Sequence, residues 1–254
     1  MSTSAPILAV SDLCKDFVLH NIDGRRVHGL ENVSFALAHG EHLVLAGSSG
    51  AGKSTLLRAV YRTYMPTSGR VDFVLDDGSS VDLAVLPDRE LIALRGRQIG
   101  YVSQFLRVQP RRGVLDLVTR AGVSRGMDVP TARDAAATSL QRLNIGEHLW
   151  DVHVAVLSGG EKQRVNIAAG LISPPRLVLL DEPVSALDPE NRESAIELIG
   201  ELSAQGVAVL AVFHDPDAIA RLADRVLLMR RGRVTADGPT GEVLPMLTKE
   251  EALL

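Results

Sequence analysis

The chain has one cysteine, Cys14, in 254 residues. No disulfide can therefore form within it, which fits a reducing compartment. With no base beside it in the sequence, Cys14 reads as a packing residue rather than a nucleophile. No run approaches the ~20 apolar residues that a membrane helix needs. The longest, Gly206-Val207-Ala208-Val209-Leu210-Ala211-Val212-Phe213, has the length of a buried parallel strand. The opening Met1-Ser2-Thr3-Ser4-Ala5-Pro6 lacks the basic start and apolar stretch of a secretory leader. These absences predict a soluble, cytoplasmic protein that would borrow any membrane role from a partner. A charge excess is missing too: 27 Lys and Arg face 31 Asp and Glu, a net charge of −4, which leaves no electrostatic footprint for nucleic acid. Arg107, Arg111 and Arg112 make only a local basic cluster, the size of a solvated face or a partner contact. Repeats and low-complexity segments are absent. What the chain does have is 46% hydrophobic residues, enough for a large core in one domain or two lobes.

The most informative stretch is Gly47-Ser48-Ser49-Gly50-Ala51-Gly52-Lys53-Ser54-Thr55. It follows the apolar run His42-Leu43-Val44-Leu45-Ala46 and opens onto the helix-like Leu56-Leu57-Arg58-Ala59-Val60-Tyr61. Glycines let successive backbone N–H groups turn inward around phosphate oxygens, and the helix start adds its positive dipole end. Lys53 can reach the β- and γ-phosphates, and the Ser54 hydroxyl is placed to ligate Mg²⁺. Strand, glycine loop and helix together read as a P-loop that holds a nucleoside triphosphate.

Short strands are predicted at residues 7–10, 16–19, 33–38 and 98–103, and a hairpin at 70–75 and 80–85 joined by Asp76-Asp77-Gly78. From about 105 to 170 strand signals stop, and helical spacing dominates at 131–143 and 161–172. A strand at 177–180, a helix at 189–205, a strand at 207–213, a helix at 216–223 and a strand at 226–229 follow, with a short helix in the tail. This alternation predicts a mostly parallel sheet covered by helices.

Leu177-Val178-Leu179-Leu180-Asp181-Glu182 is an apolar strand ending in two carboxylates. Open α/β sheets deliver functional groups at such strand ends. Asp181 is predicted to hold Mg²⁺ through water, opposite Ser54, and Glu182 to orient or deprotonate an attacking water. Leu157-Ser158-Gly159-Gly160-Glu161 is a second anion-binding candidate. Ser158 can cap a helix whose first N–H groups the glycines leave bare. Taken alone it reads as an ordinary capped helix. Two anion sites on one chain suggest that the second serves a nucleotide bound by another chain.

In this order, the P-loop, the Ser-Gly-Gly helix start and the Leu-Leu-Asp-Glu strand resemble an ATP-binding-cassette (ABC) ATPase. The resemblance covers residues 7–243. It implies an α/β P-loop NTPase fold: an ABC-type nucleotide-binding domain with a RecA-like core, an antiparallel β subdomain and a helical subdomain. The whole chain, 1–254, would be one such domain. Residues 1–104 and 173–254 would form the core with the β subdomain, and 105–172 the helical subdomain with the signature. The ligands implied are ATP and Mg²⁺. Gln104 matches the Q-loop glutamine, a Mg²⁺ and water contact, and Ser185-Ala186-Leu187-Asp188 matches the D-loop at a dimer interface. His214 matches the switch histidine on the γ-phosphate, and Phe17 is placed like the aromatic that stacks on adenine. The expected assembly is a head-to-tail homodimer in which the partner's Ser158, Gly159 and Gly160, with Glu161, close over ATP. Two positions depart from the family pattern. Glu161 stands where glutamine is common, which preserves the helix start, and Ala169 stands where arginine is usual, which removes a structural or interface contact.

Between these motifs, residues 101–111, 142–150, 164–170 and 212–215 resemble the PhnL-type cassette subunits of bacterial carbon–phosphorus lyase systems, which break down phosphonates. That resemblance implies soluble lyase core subunits, with room for a second ABC subunit, as partners in place of a permease. Phe105, Leu106 and Arg107, with the arginines near Pro110, would form the docking groove. The alternative is the ATPase subunit of a membrane ABC transporter, of the lipoprotein-release type or for phosphonate import. Only that alternative places the chain at a membrane.

Overall fold

The apolar run His42–Ala46 folds as β3 and is buried along its whole length. A strand turns successive side chains to opposite faces, so a run apolar at every position needs cover on both. The computed structural model, which describes residues 6–19, 25–103 and 112–251, provides that cover. Leu43 and Leu45 join one core, Val44 and Ala46 the other. The same division runs through β7 (Leu177–Asp181), where Leu177 and Leu179 oppose Val178 and Leu180. In β8 (Ala208–Val212) it separates Leu210 from Val209 and Ala211.

These strands belong to a six-stranded sheet in the order β10-β9-β3-β8-β7-β6. Its other members are β6 (Ile99–Val102), β9 (Arg225–Arg230) and β10 (Arg233–Pro239). Neighbours from β9 to β6 run parallel, and β10 returns antiparallel along β9. Parallel neighbours require crossovers, supplied here by helices. These include α1 (Lys53–Val60), α6 (Pro189–Ala204) and α7 (Pro216–Leu222). The second sheet is antiparallel, in the order β2-β1-β4-β5. It is built from β1 (Leu8–Leu19), β2 (Arg25–Leu37), β4 (Ser68–Val74) and β5 (Ser80–Asp82).

Several local expectations change. The two short strands predicted before residue 20 are one strand, β1, whose register shifts between Val10 and Asp16. Asp12 at φ 49° forms the irregularity that makes the sequence look interrupted. The helix α2 (Asp88–Arg97) follows β5 and was not anticipated: Leu91 is its one buried side chain, so it carries no apolar stripe. The hairpin strand β10 was missed because exposed residues alternate with half-buried ones along it. Helices do dominate the middle of the chain. α4 (Val129–Arg142) and α5 (Gly159–Leu171) stand where predicted, and α3 (Val114–Ser124) is added. Asp128 caps α4 by accepting from the Thr131 N–H at 3.1 Å. The chain ends in α8 (Thr240–Glu251). Among the described residues, no helix is long and apolar enough to cross a membrane.

The strand order positions the site. β3, β8 and β7 lie side by side, so the glycine loop, His214 and the Asp181-Glu182 pair leave adjacent strand ends on one edge of the sheet.

Candidate functional site

The chain leaves β3 at Gly47 with φ 134°, and a Cβ there would lie 2.2 Å from the Met229 carbonyl oxygen of β9. Only glycine fits so close an approach. At the other end of the loop Gly52, at φ 106°, is the N-cap of α1. Between them the crown is open: a Cβ on Gly50 would meet nothing within 4 Å. Lys53 is buried and donates to the Gly47 and Ser48 carbonyls at 2.6 and 2.9 Å, which ties the loop to its own helix. Glycine loop, helix start and lysine form a cradle for an anion carrying several phosphates.

Asp181 ends β7 and is 2% exposed. The Ser54 hydroxyl donates to its Oδ1 at 2.7 Å. A hydroxyl and a carboxylate at this spacing are hard oxygen donors of the kind Mg²⁺ takes beside nucleotide phosphates, so the residues fit that ion. The other oxygen, Oδ2, accepts from the Tyr101 hydroxyl at 2.8 Å and from Arg58 at 3.4 Å. Burial, followed by the Asp181 charge, pushes the Tyr101 phenol well above its ordinary range, so it remains a donor at neutral pH. Arg58 is held firmly protonated, first by the Tyr64 hydroxyl.

Glu182, the next residue, takes φ 53°, and its carboxylate lies 2.8 Å from the His214 ring Nε2. The carboxylate is largely sheltered, and the imidazole is half exposed. Both line one cleft of about 300 Å³ with Ser49, Gly50, Ala51, Gly52, Lys53, Ser54 and Thr55. Phe17, Val27, His28 and Gly29, from β1 and β2, complete its lining. Phe17 is half-buried there, with the Tyr64 ring edge-on at 5.3 Å. The structure therefore brings together the P-loop, Glu182, His214 and Phe17 in one place. Arg192 forms an ion pair with Asp215, bracing the residue after His214.

Ser158, Gly159 and Gly160 do not line this cleft. Ser158 caps α5 by accepting from the Glu161 N–H at 3.3 Å, while Glu161 accepts from the Ser158 N–H at 2.8 Å. That reciprocal pair holds the Glu161 carboxyl below its usual range and explains how Glu161 serves at the helix start. The serine–glutamate spacing in the sequence signals this box. Gly160 sits against the Ala186 carbonyl, so the signature adjoins the 185–188 turn. Asp188 caps α6 through Asn191, whose donors lower its pKa.

Sequence reasoning missed Arg58, Tyr101, Gln163 and Asn166. Gln163 donates to the Pro183 carbonyl at 2.9 Å, and Asn166 to the Ser103 carbonyl at 2.7 Å, so α5 is tied to both segments flanking the site. Their signal was two amides three residues apart among buried apolar neighbours. Arg125 donates to the Ala169 and Ser173 carbonyls at 3.1 and 3.3 Å, bringing a guanidinium to the backbone where Ala169 brings none. Gln104 and the proposed docking residues Phe105, Leu106, Arg107 and Arg111 lie outside the described residues.

This fold and site define a P-loop NTPase of the ABC cassette type. A family model described as ABC transporter matches residues 30–185, and the chain belongs to that family. It is 34% identical over 224 residues to the methionine import ATP-binding protein MetN of Histophilus somni, covering 88% of this chain and 63% of that protein. It is also 34% identical to the macrolide export ATP-binding/permease protein MacB of Brucella melitensis, covering 92% of this chain and 34% of that one. The chain thus spans less than two-thirds of the length of these relatives. Among solved structures, a dimeric ATP-binding cassette in a post-hydrolysis state bound to ADP and Pi matches with TM-score 0.80 at 28% identity, covering 92% of this chain and 98% of that chain. A cassette of the cbiONQ transporter complex of Clostridium perfringens matches with TM-score 0.74 at 29% identity, covering 98% and 95%.

Proposed function

We propose that this chain is a Mg²⁺-dependent ATPase that couples ATP binding and hydrolysis to a change of shape in a cytoplasmic partner assembly. The observation that carries this reading is the single cleft in which Lys53 and Ser54 face the contacting Glu182 and His214. The loop N–H groups and Lys53 would bind the β- and γ-phosphates of ATP. Ser54 and Asp181, with Gln104, would hold Mg²⁺, which when bound supplies charge neutralisation on the phosphate oxygens. Glu182 would take the proton of the attacking water. His214, oriented by its contact with Glu182, would donate to the γ-phosphate oxygens. Phe17 would stack on adenine.

The chain would act as one domain with 105–172 as its helical subdomain, and as a head-to-tail homodimer. Two facts support that assembly: its own Ser158–Gly160 segment lies outside its own cleft, and the cassette bound to ADP and Pi is dimeric. ATP would join the two chains, with Asp188 at the junction, and loss of the γ-phosphate would release them, a population switch driven by nucleotide.

The partner proposed is the soluble core of a carbon–phosphorus lyase system, with a second cassette subunit. The support is the likeness of residues 101–111, 142–150, 164–170 and 212–215 to the PhnL-type subunits. The second reading, the motor of a membrane transporter, is favoured by relatives named for methionine import and macrolide export. The test uses Glu182→Gln, which removes the base and traps the ATP-bound dimer. The variant would be tagged and purified from its native cells with MgATP. Lyase subunits in the soluble fraction would support the first reading. A polytopic membrane protein would overturn it and establish the second.

A further inference from the structure

Aromatic residues make up only 4% of the chain, and tyrosines number three. All three gather around Asp181 and Arg58. Tyr101 donates to Asp181 Oδ2 at 2.8 Å, and Arg58 reaches the same oxygen at 3.4 Å. Tyr61 stacks on the Tyr101 ring at 4.8 Å, with planes 28° apart. The Tyr64 hydroxyl accepts from Arg58 at 3.2 Å, and the Tyr64 ring meets Phe17 edge-on.

The chain geometry makes this cluster. Ser54, Arg58 and Tyr61 stand at i, i+4 and i+7, one face of α1 and the turn that ends it. In the parallel register Tyr101 pairs with Leu179, so Tyr101, Leu179 and Asp181 share one face of the sheet. Asp181 is then the diagonal neighbour of Tyr101, within reach of a long side chain.

We propose that Tyr101 and Arg58 are positioning residues for the metal-holding carboxylate: by binding Oδ2 they fix the plane of Asp181 so that Oδ1 is presented to Ser54 and to a divalent cation carried with the nucleotide. The proposal rests on the reading of Ser54 and Asp181 as the metal-holding pair. A carboxylate is free to turn about its Cβ–Cγ bond unless both oxygens are held. Here Ser54 holds one, and two donors hold the other. Each donor is itself braced. The Tyr101 ring lies on Tyr61, which has the Arg95 guanidinium 4.3 Å from its centroid. Arg58 is anchored on Tyr64.

The test is Tyr101→Phe in the full chain, which keeps the ring and its stack and removes only the hydroxyl, with Arg58→Met beside it. Mn²⁺ binding to the ADP-loaded protein, read by electron paramagnetic resonance, needs no turnover. Each variant is expected to bind Mn²⁺ about 10-fold more weakly, the usual effect of losing a hydrogen bond to a charged group. ADP binding in EDTA should stay at the wild-type level. In steady state the Mg²⁺ needed for half-maximal ATPase should rise by the same factor, with kcat recovering at saturating Mg²⁺. Wild-type Mn²⁺ affinity in Tyr101→Phe, with Ser54→Ala and Asp181→Asn both impaired, would overturn the proposal. Wild-type affinity in all of these variants would instead overturn the metal-site reading beneath it.

Discussion

Glu182 sits at φ 53°, in the left-handed region, directly after β7, a buried strand of four aliphatic residues and Asp181. A residue with a Cβ pays about 1–2 kcal/mol for that conformation. The surroundings enforce it. The Glu182 N–H donates to the Val212 carbonyl at 3.1 Å, and the Ser185 hydroxyl donates to the Glu182 carbonyl at 3.1 Å. The bend turns the carboxylate off the strand line and toward His214. The strain can be isolated by comparing Glu182→Ala with Glu182→Gly, because both lose the carboxylate and the His214 contact and only glycine relaxes at positive φ. Glycine gives back about 0.4–1 kcal/mol through the freer unfolded chain. The Glu182→Gly variant should therefore be more stable than Glu182→Ala by about 0.5–1 kcal/mol, or about 1–4 °C in Tm for a chain of this size. Urea and thermal unfolding of the two proteins, without nucleotide, measure the difference, and neither should hydrolyse ATP. An alanine variant as stable as the glycine variant, or more so, would refute the claim that strain is stored at this residue.

Three further outcomes follow from the same structure. Gly47→Ala would place a Cβ 2.2 Å from the Met229 carbonyl at φ 134° and should cost about 3 kcal/mol with loss of ATP binding, whereas Gly50→Ala meets no atom within 4 Å and should cost only the conformational strain of about 1 kcal/mol; unfolding and ATP titration separate the two. Ser158→Ala should weaken α5 by about 1 kcal/mol, while Glu161→Gln, whose amide oxygen still accepts from the Ser158 N–H, should cost much less in the same unfolding measurement. His42 is buried, and desolvation holds its pKa below the ordinary 6.5, against the opposing pull of Asp224 and of the Leu222 carbonyl. Below pH 6.5 the unfolded chain takes up a proton that the folded imidazole resists, so stability should be complete above that pH and fall as the pH drops through it; replacing His42 by Leu should flatten this part of the urea-unfolding pH profile.

The nucleotide chemistry was legible in the chain because it lies in contiguous segments. A glycine loop followed by lysine and serine after an apolar strand, or a strand of four aliphatic residues ending in Asp181 and Glu182, carries its own local geometry. The helices α4 and α5 were readable from their helical spacing, which is also a local signal. α2 and β10 were not, since neither buries a regular face and periodicity reports only burial.

By itself the sequence determined the class of ligand, the parallel sheet and the glycine loop that opens α1, because backbone conformation around glycine and alternation along a strand are local properties. Only the tertiary structure decided that Tyr101 and Arg58 share one oxygen of Asp181, that Glu182 bends into the left-handed region toward His214, and that Gln163 and Asn166 tie α5 to the site. Each of these depends on strand register or helix facing between segments far apart in the chain, and no local propensity encodes such a distance.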